Sequence, residues 1–183
     1  RPGIIRELTG PGRRVVPAST DDIVAWVTQQ TEALAEQAAR LGLRLAHVKP
    51  HGALYNVAAR EPEVAQAIAR AVASLDPGLA LIGLAGSHLI AAAEAAGLAV
   101  LNEGFADRRY QSDGRLVSRE TPGALLHEPE AAAAQACLLA EGQPVPTLPE
   151  GALRIRGDTI CLHSDTPGAI NIARAVHAAL NRG

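Results

Sequence analysis

Four of the six histidines in this chain, His47, His51, His88 and His163, fall at or just beyond the ends of predicted strands, and three strand ends, two of them with histidines, gather reactive side chains into clusters. The first reads His47-Val48-Lys49-Pro50-His51. Imidazoles move protons near neutral pH and an ammonium binds anionic oxygens, so this cluster suits a small anionic substrate. Proline holds Lys49 extended. If the extended run continues through Pro50, all three basic groups share one face. A lysine turned among apolar neighbours needs an anion, which is either a substrate oxygen or a partner such as Glu103 or Asp107. The second cluster, Asp107-Arg108-Arg109, offers a carboxylate to orient a base and guanidiniums that clamp carboxylate or phosphate, unless an arginine is merely solvated. The third, His163-Ser164-Asp165, suits an acid/base pair, unless Asp165 or Thr166 only caps the helix that follows. His88 stands alone, as a hydrogen-bonded structural histidine would. Neither His47-x-x-x-His51 nor His163-x-Asp165 is a zinc signature, because residues after a strand have no helical register, so metal use stays open. Gly83-Leu84-Ala85-Gly86-Ser87 lacks the lysine of a phosphate loop and the full dinucleotide pattern.

The elements that must position these residues alternate. Ser19, with Asp22 three residues on, opens a helix whose apolar face is Ile23, Val24, Val27, Thr31, Leu34, Ala38 and Leu41, and Gly42 suits its end. A strand Leu43–Lys49 follows. Then come a helix from about Pro62 to Leu75, a strand Leu79–Leu84, a helix Ser87–Ala96 and a strand Leu98–Leu101. Asp113-Gly114 marks a tight turn within Tyr110–Val117. A helix Pro129–Ala140, a proline-rich surface loop Gly142–Gly151, a strand Leu153–Leu162 and a helix ending at Leu180 complete the chain. Strands alternating with helices predict an α/β fold with a parallel sheet, either open and doubly wound or closed as a barrel. Ligands then sit beyond the carboxyl ends of the strands, where the clusters lie.

Composition narrows the partners. The chain has 183 residues, 17 Lys+Arg against 19 Asp+Glu, and only 2% aromatic residues. Without a basic stripe or stacking platforms it predicts no nucleic-acid binding. Charged or polar residues interrupt every apolar run before membrane-spanning length, and no signal-peptide pattern is present, so a cytoplasmic protein with no membrane partner is expected. Cys137 and Cys161 lack a metal or disulfide framework and read as reduced thiols. The length suits one domain over residues 1–183. Methionine is absent. A translated start is therefore expected upstream of Arg1.

Five blocks, HVKPHGALYN (His47–Asn56), LIGLAGS (Leu81–Ser87), FADRRY (Phe105–Tyr110), PGALLHEP (Pro122–Pro129) and DTICLHSDTPGA (Asp158–Ala169), occur in an order that closely resembles the LamB/YcsF family. The resemblance implies a distorted parallel (β/α) barrel of the glycoside hydrolase/deacetylase-like type. It also implies opening of the 5-oxoproline lactam to L-glutamate, coupled to ATP hydrolysis, in a complex with 5-oxoprolinase subunits B and C. The family's DLNCDLGE-like, CGFHAGD-like and GAHPGYPD-like blocks are missing, and only Gly10-Pro11-Gly12-Arg13-Arg14 matches the end of the last. The barrel is thus expected to lack its first strands and some acidic and histidine residues of its pocket, and a divalent metal would depend on those. Ser164 stands where the family often has glycine. An open sheet edge would favour a homo-oligomer or a partner strand. With this chemistry in view, His51 or His163, oriented by Asp165 or Asp107, is the expected proton carrier, and His47, Lys49, Arg108, Tyr55 and Asn56 the expected substrate contacts. Two alternatives remain: a metal-dependent amide or carbohydrate deacetylase, and a catalytically incomplete binding subunit.

Overall fold

A computed structural model describes residues 17–181, so the Gly10–Arg14 block lies outside the described residues. The chain divides between Leu101 and Asn102 into two compact units.

The first unit opens on α1 (Thr20–Arg40), which begins at the capping box the sequence predicts. The Ser19 hydroxyl accepts from the Asp22 amide at 3.1 Å, and the Asp22 carboxylate accepts from the Ser19 amide at 3.0 Å. Gly42, at φ +72°, takes the left-handed turn that follows the helix. The predicted apolar face of α1 is buried only in its first half. Ile23, Val27 and Thr31 are buried, but Leu34 is 56% and Leu41 76% exposed. Its helical partner α3 (Pro62–Leu75) has 14 residues against 21. At 1.5 Å per residue α3 is therefore about 10 Å too short to cover the far end.

The predicted strand Leu43–Lys49 contracts to β1 (His47–Val48), which pairs in parallel with β2 (Ala80–Leu84). Between them lie α2 (Gly52–Ala58) and α3, and α4 (His88–Ala95) follows β2. Ile68 and Val72 of α3, Leu81 of β2 and Leu89 and Ala93 of α4 are sealed from solvent in one core with Ile23 and Val27. Each large apolar side chain buried there contributes roughly 1.5–3 kcal/mol.

β3 (Ala99–Phe105) is longer than the strand Leu98–Leu101 that the sequence predicts. In the second unit its last three residues pair in parallel with β6 (Thr159–Cys161), with Phe105 opposite Cys161. The Asp113-Gly114 turn forms as expected, with the Gln111 amide donating to the Arg115 carbonyl at 2.7 Å. Two expectations fail here. The proline-rich stretch is no simple loop but the antiparallel pair β4 (Pro144–Thr147) and β5 (Gly151–Arg154), and the single strand Leu153–Leu162 is split between β5 and β6. Pro144 and Pro146 are two residues apart, so their nitrogens lie on the same side of β4 and the missing donors fall along one edge. Helices α5 (Pro129–Glu141) and α6 (Ala169–Leu180) pack through Ala132, Ala136, Ile172 and Val176.

The fold is α/β with parallel strand pairs. Among the described residues the parallel strands do not close into a ring. Cys137 and Cys161 are free thiols, and no described helix is long and apolar enough to cross a membrane.

Candidate active site

The parallel pairing of Phe105 with Cys161 decides the geometry in the second unit. Two residues beyond each partner stand Asp107 and His163. Asp107 is 1% exposed, and both its oxygens lie 3.0 Å from Nδ1 of His163. The His163 amide donates to Oδ2 at 3.0 Å, and the Thr166 hydroxyl reaches the same oxygen at 3.5 Å. Burial pushes the Asp107 carboxyl upward, but the hydrogen bonds and charge of His163 outweigh it and hold the pKa below the ordinary 3.8. The carboxylate is therefore ionised and can only accept. Nδ1 of His163 must carry the proton, which leaves the lone pair of a neutral ring on Nε2. Phe105 stacks on the imidazole with centroids 5.5 Å apart. The result is a partly exposed base with a buried, fixed carboxylate behind it.

Arg108 is 7% exposed. One of its terminal nitrogens donates to the Val117 carbonyl, and its buried Nε has no hydrogen-bond partner among the described residues. Burial and then the nearby charge of Arg119 pull its pKa below the ordinary value, because both disfavour a further positive charge. An anion would relieve that cost. Asp165 is not the partner of His163. It forms an ion pair with Arg119 at 3.3 Å, on the solvent side. The sequence offers His51 or His163 as the proton carrier and Asp165 or Asp107 as its orienting acid, and the structure places Asp107 against His163.

In the first unit, burial alternates along the basic cluster: His47 is exposed, Val48 buried, Lys49 half-buried, Pro50 buried and His51 exposed. The three basic residues do share a face, opposite Val48 and Pro50. Lys49 Nζ lies 5.7 Å from the centroid of the buried Tyr55 ring, a cation–π contact. Asn56 spends its amide on the Gly52 carbonyl at 3.1 Å, within its own helix. His51 stands at the start of α2 without a side-chain capping bond. His88 is exposed at the start of α4.

Three contributors are not among the site residues expected from the sequence. Gln135 lies inside an alanine-rich helix and looks like surface filler, yet it is 2% exposed and donates to backbone around Asp107. Tyr110 is fully buried, and its hydroxyl accepts from the Phe105 amide at 2.6 Å. Arg119 lies outside every motif. Among the described residues no three of the His, Cys, Asp and Glu side chains gather as a metal-holding set.

The sequence profile of the LamB/YcsF family matches residues 3–183. The 5-oxoprolinase A subunit of Chloroflexus aggregans (strain MD-66 / DSM 9485) is 51% identical over 177 residues, which are 97% of this chain and 69% of that protein. Its counterpart of the same designation in Nitrobacter hamburgensis (strain DSM 10229 / NCIMB 13809 / X14) is 44% identical over 176 residues, 96% of this chain and 69% of that protein. The crystal structure of a lactam utilization protein from Thermus thermophilus superimposes with a TM-score of 0.85 at 42% identity, covering 93% of this chain and 68% of that one.

Proposed function

The chain belongs to the LamB/YcsF family, and on that premise we propose that it acts in the hydrolysis of 5-oxoproline, with the Asp107–His163 pair as the base. The carrying observation is the 3.0 Å contact of Nδ1 with a buried carboxylate, which leaves Nε2 to take a proton. In this reading Nε2 accepts a proton from water, the water oxygen bonds to the lactam carbonyl carbon, and the ring C–N bond breaks. The nitrogen recovers the proton and the product is L-glutamate. Asp107 stabilises the imidazolium formed in between.

A lactam is a resonance-stabilised amide, so coupling to ATP hydrolysis is assigned the driving force. Arg108 fits a phosphate or carboxylate oxygen, since its guanidinium is buried with Nε unpartnered among the described residues. Within the first unit, Lys49 is assigned an anionic oxygen, and His47, His51, Tyr55 and Asn56 are assigned substrate contacts. The relatives' designation by one letter of a lettered set of subunits supports action within a complex, with subunits B and C as partners. The parallel strands are read as part of a (β/α) barrel.

The test is glutamate release from 5-oxoproline by this chain alone and with subunits B and C, with and without ATP. The reading expects release only from the complex with ATP. No release from the assembled complex would contradict it. Nucleotide-independent amide hydrolysis that a chelator abolishes would favour the deacetylase alternative.

A further inference from the structure

We propose that Gln135 is a positioning residue, which holds the segment 105–108 so that Asp107 meets His163 in the geometry needed for proton transfer. The inference rests on the reading of that pair as the base. β3 ends at Phe105, so the carbonyls beyond it lose their strand partners just where the carboxylate must be fixed. Gln135 Nε2 lies 2.7 Å from the Phe105 carbonyl, 3.3 Å from that of Ala106 and 2.7 Å from that of Arg108. The remaining carbonyl, of Asp107 itself, accepts from the Leu126 amide at 3.0 Å. With its two hydrogens one side-chain nitrogen therefore donates to the Phe105 and Arg108 carbonyls and shares a longer contact with that of Ala106, so three of the four carbonyls in the turn that carries Asp107 and Arg108 lie against it.

The arrangement is specific to an amide. Turning it over would set Oε1 against three carbonyl oxygens, all acceptors, so the orientation is forced. Oε1 has no hydrogen-bond partner among the described residues although Gln135 is 2% exposed. Leaving a buried acceptor unpaired is unfavourable, and a purely packing role would be better served by leucine or methionine. The nitrogen is what the site uses. The support is rigid as well, because Gln135 lies mid-helix between the buried Ala132 and Leu139. On the other side of the turn, Tyr110 anchors the Phe105 amide. A base aimed by a single carboxylate loses its alignment when that carboxylate moves by an ångström, which costs about 100-fold in rate.

The experiment uses Gln135→Leu in the full chain. The first readout is the nitrogen-15 shifts of the His163 ring in the chain alone, which report which nitrogen carries the proton. The second is glutamate formation by the complex with subunits B and C. The expected result is a folded protein in which the preference for the Nδ1-protonated ring is lost, with kcat down about 100-fold and KM for 5-oxoproline little changed. Unaltered ring shifts and kcat in folded Gln135→Leu would overturn the proposal. If that variant does not fold, Gln135→Asn, one methylene short of the same carbonyls, is judged by the same two readouts. Failure of both to fold assigns Gln135 to the stability of the unit and overturns the proposal too. If the wild-type complex releases no glutamate, the functional reading fails, whereas the ring shifts still decide the role of Gln135.

Discussion

Asp107 keeps its charge while almost wholly buried because His163 supplies two donors to it, the backbone amide and Nδ1. That gives its contribution to stability a definite pH dependence. A carboxyl whose folded pKa lies below its ordinary 3.8 adds stability that is fully present above that value and is lost as the pH falls through the lower, folded one. Between about pH 5 and about pH 3, the urea midpoint of the wild-type protein should therefore fall further than that of Asp107→Asn, which has nothing there to protonate. Equal falls would mean that the carboxylate is not held as described. Residue types alone suggest a carboxylate beside His163, but not which one. Asp165 is two residues away in sequence, whereas Asp107 is 56 residues away. Only the pairing of Phe105 with Cys161 brings the distant one in, and a parallel register is set by tertiary packing rather than by local spacing.

Helix boundaries were legible wherever a local signal marks them. The Ser19–Asp22 box starts α1, and Pro62 and Pro129 open α3 and α5 at their first residues. The antiparallel pair β4–β5 was not legible, because prolines at alternate positions read as a loop unless the missing donors are known to face away. How far the face of α1 is covered depends on the length of α3, which the pattern of α1 does not carry. At this scale the backbone around the end of β3 is closely packed. A Cβ on Gly157 would meet the backbone nitrogen of Gly104 and the Thr159 carbonyl oxygen, each at 3.2 Å. One on Gly104 would meet Leu139 Cδ1 at 3.1 Å, the mobile end of a side chain. Backbone cannot give way as a leucine tip can, so Gly157→Ala should lower the melting temperature more than Gly104→Ala, which is expected to cost roughly 1–3 kcal/mol as overpacking. The reverse order would show that the β3–β6 junction yields more easily than the α5 packing.

For the molecule as a whole, the blocks from HVKPHGALYN to DTICLHSDTPGA carry the family signal across both compact units, and the chain spans 69% of the length of the relatives described above. The low aromatic content and balanced charge agree with the small anionic substrate proposed above. The proposed function is one of an assembly, so its decisive test is made in one. The most direct measurement is ATP-dependent glutamate release from 5-oxoproline by the complex carrying Asp107→Asn in this chain, beside the wild type, with folding of the variant verified by its melting curve. An asparagine keeps the shape but allows the wrong ring tautomer, so the rate should fall roughly 100- to 10,000-fold. A folded Asp107→Asn complex working at the wild-type rate would contradict the assignment of Asp107 and His163 as the base.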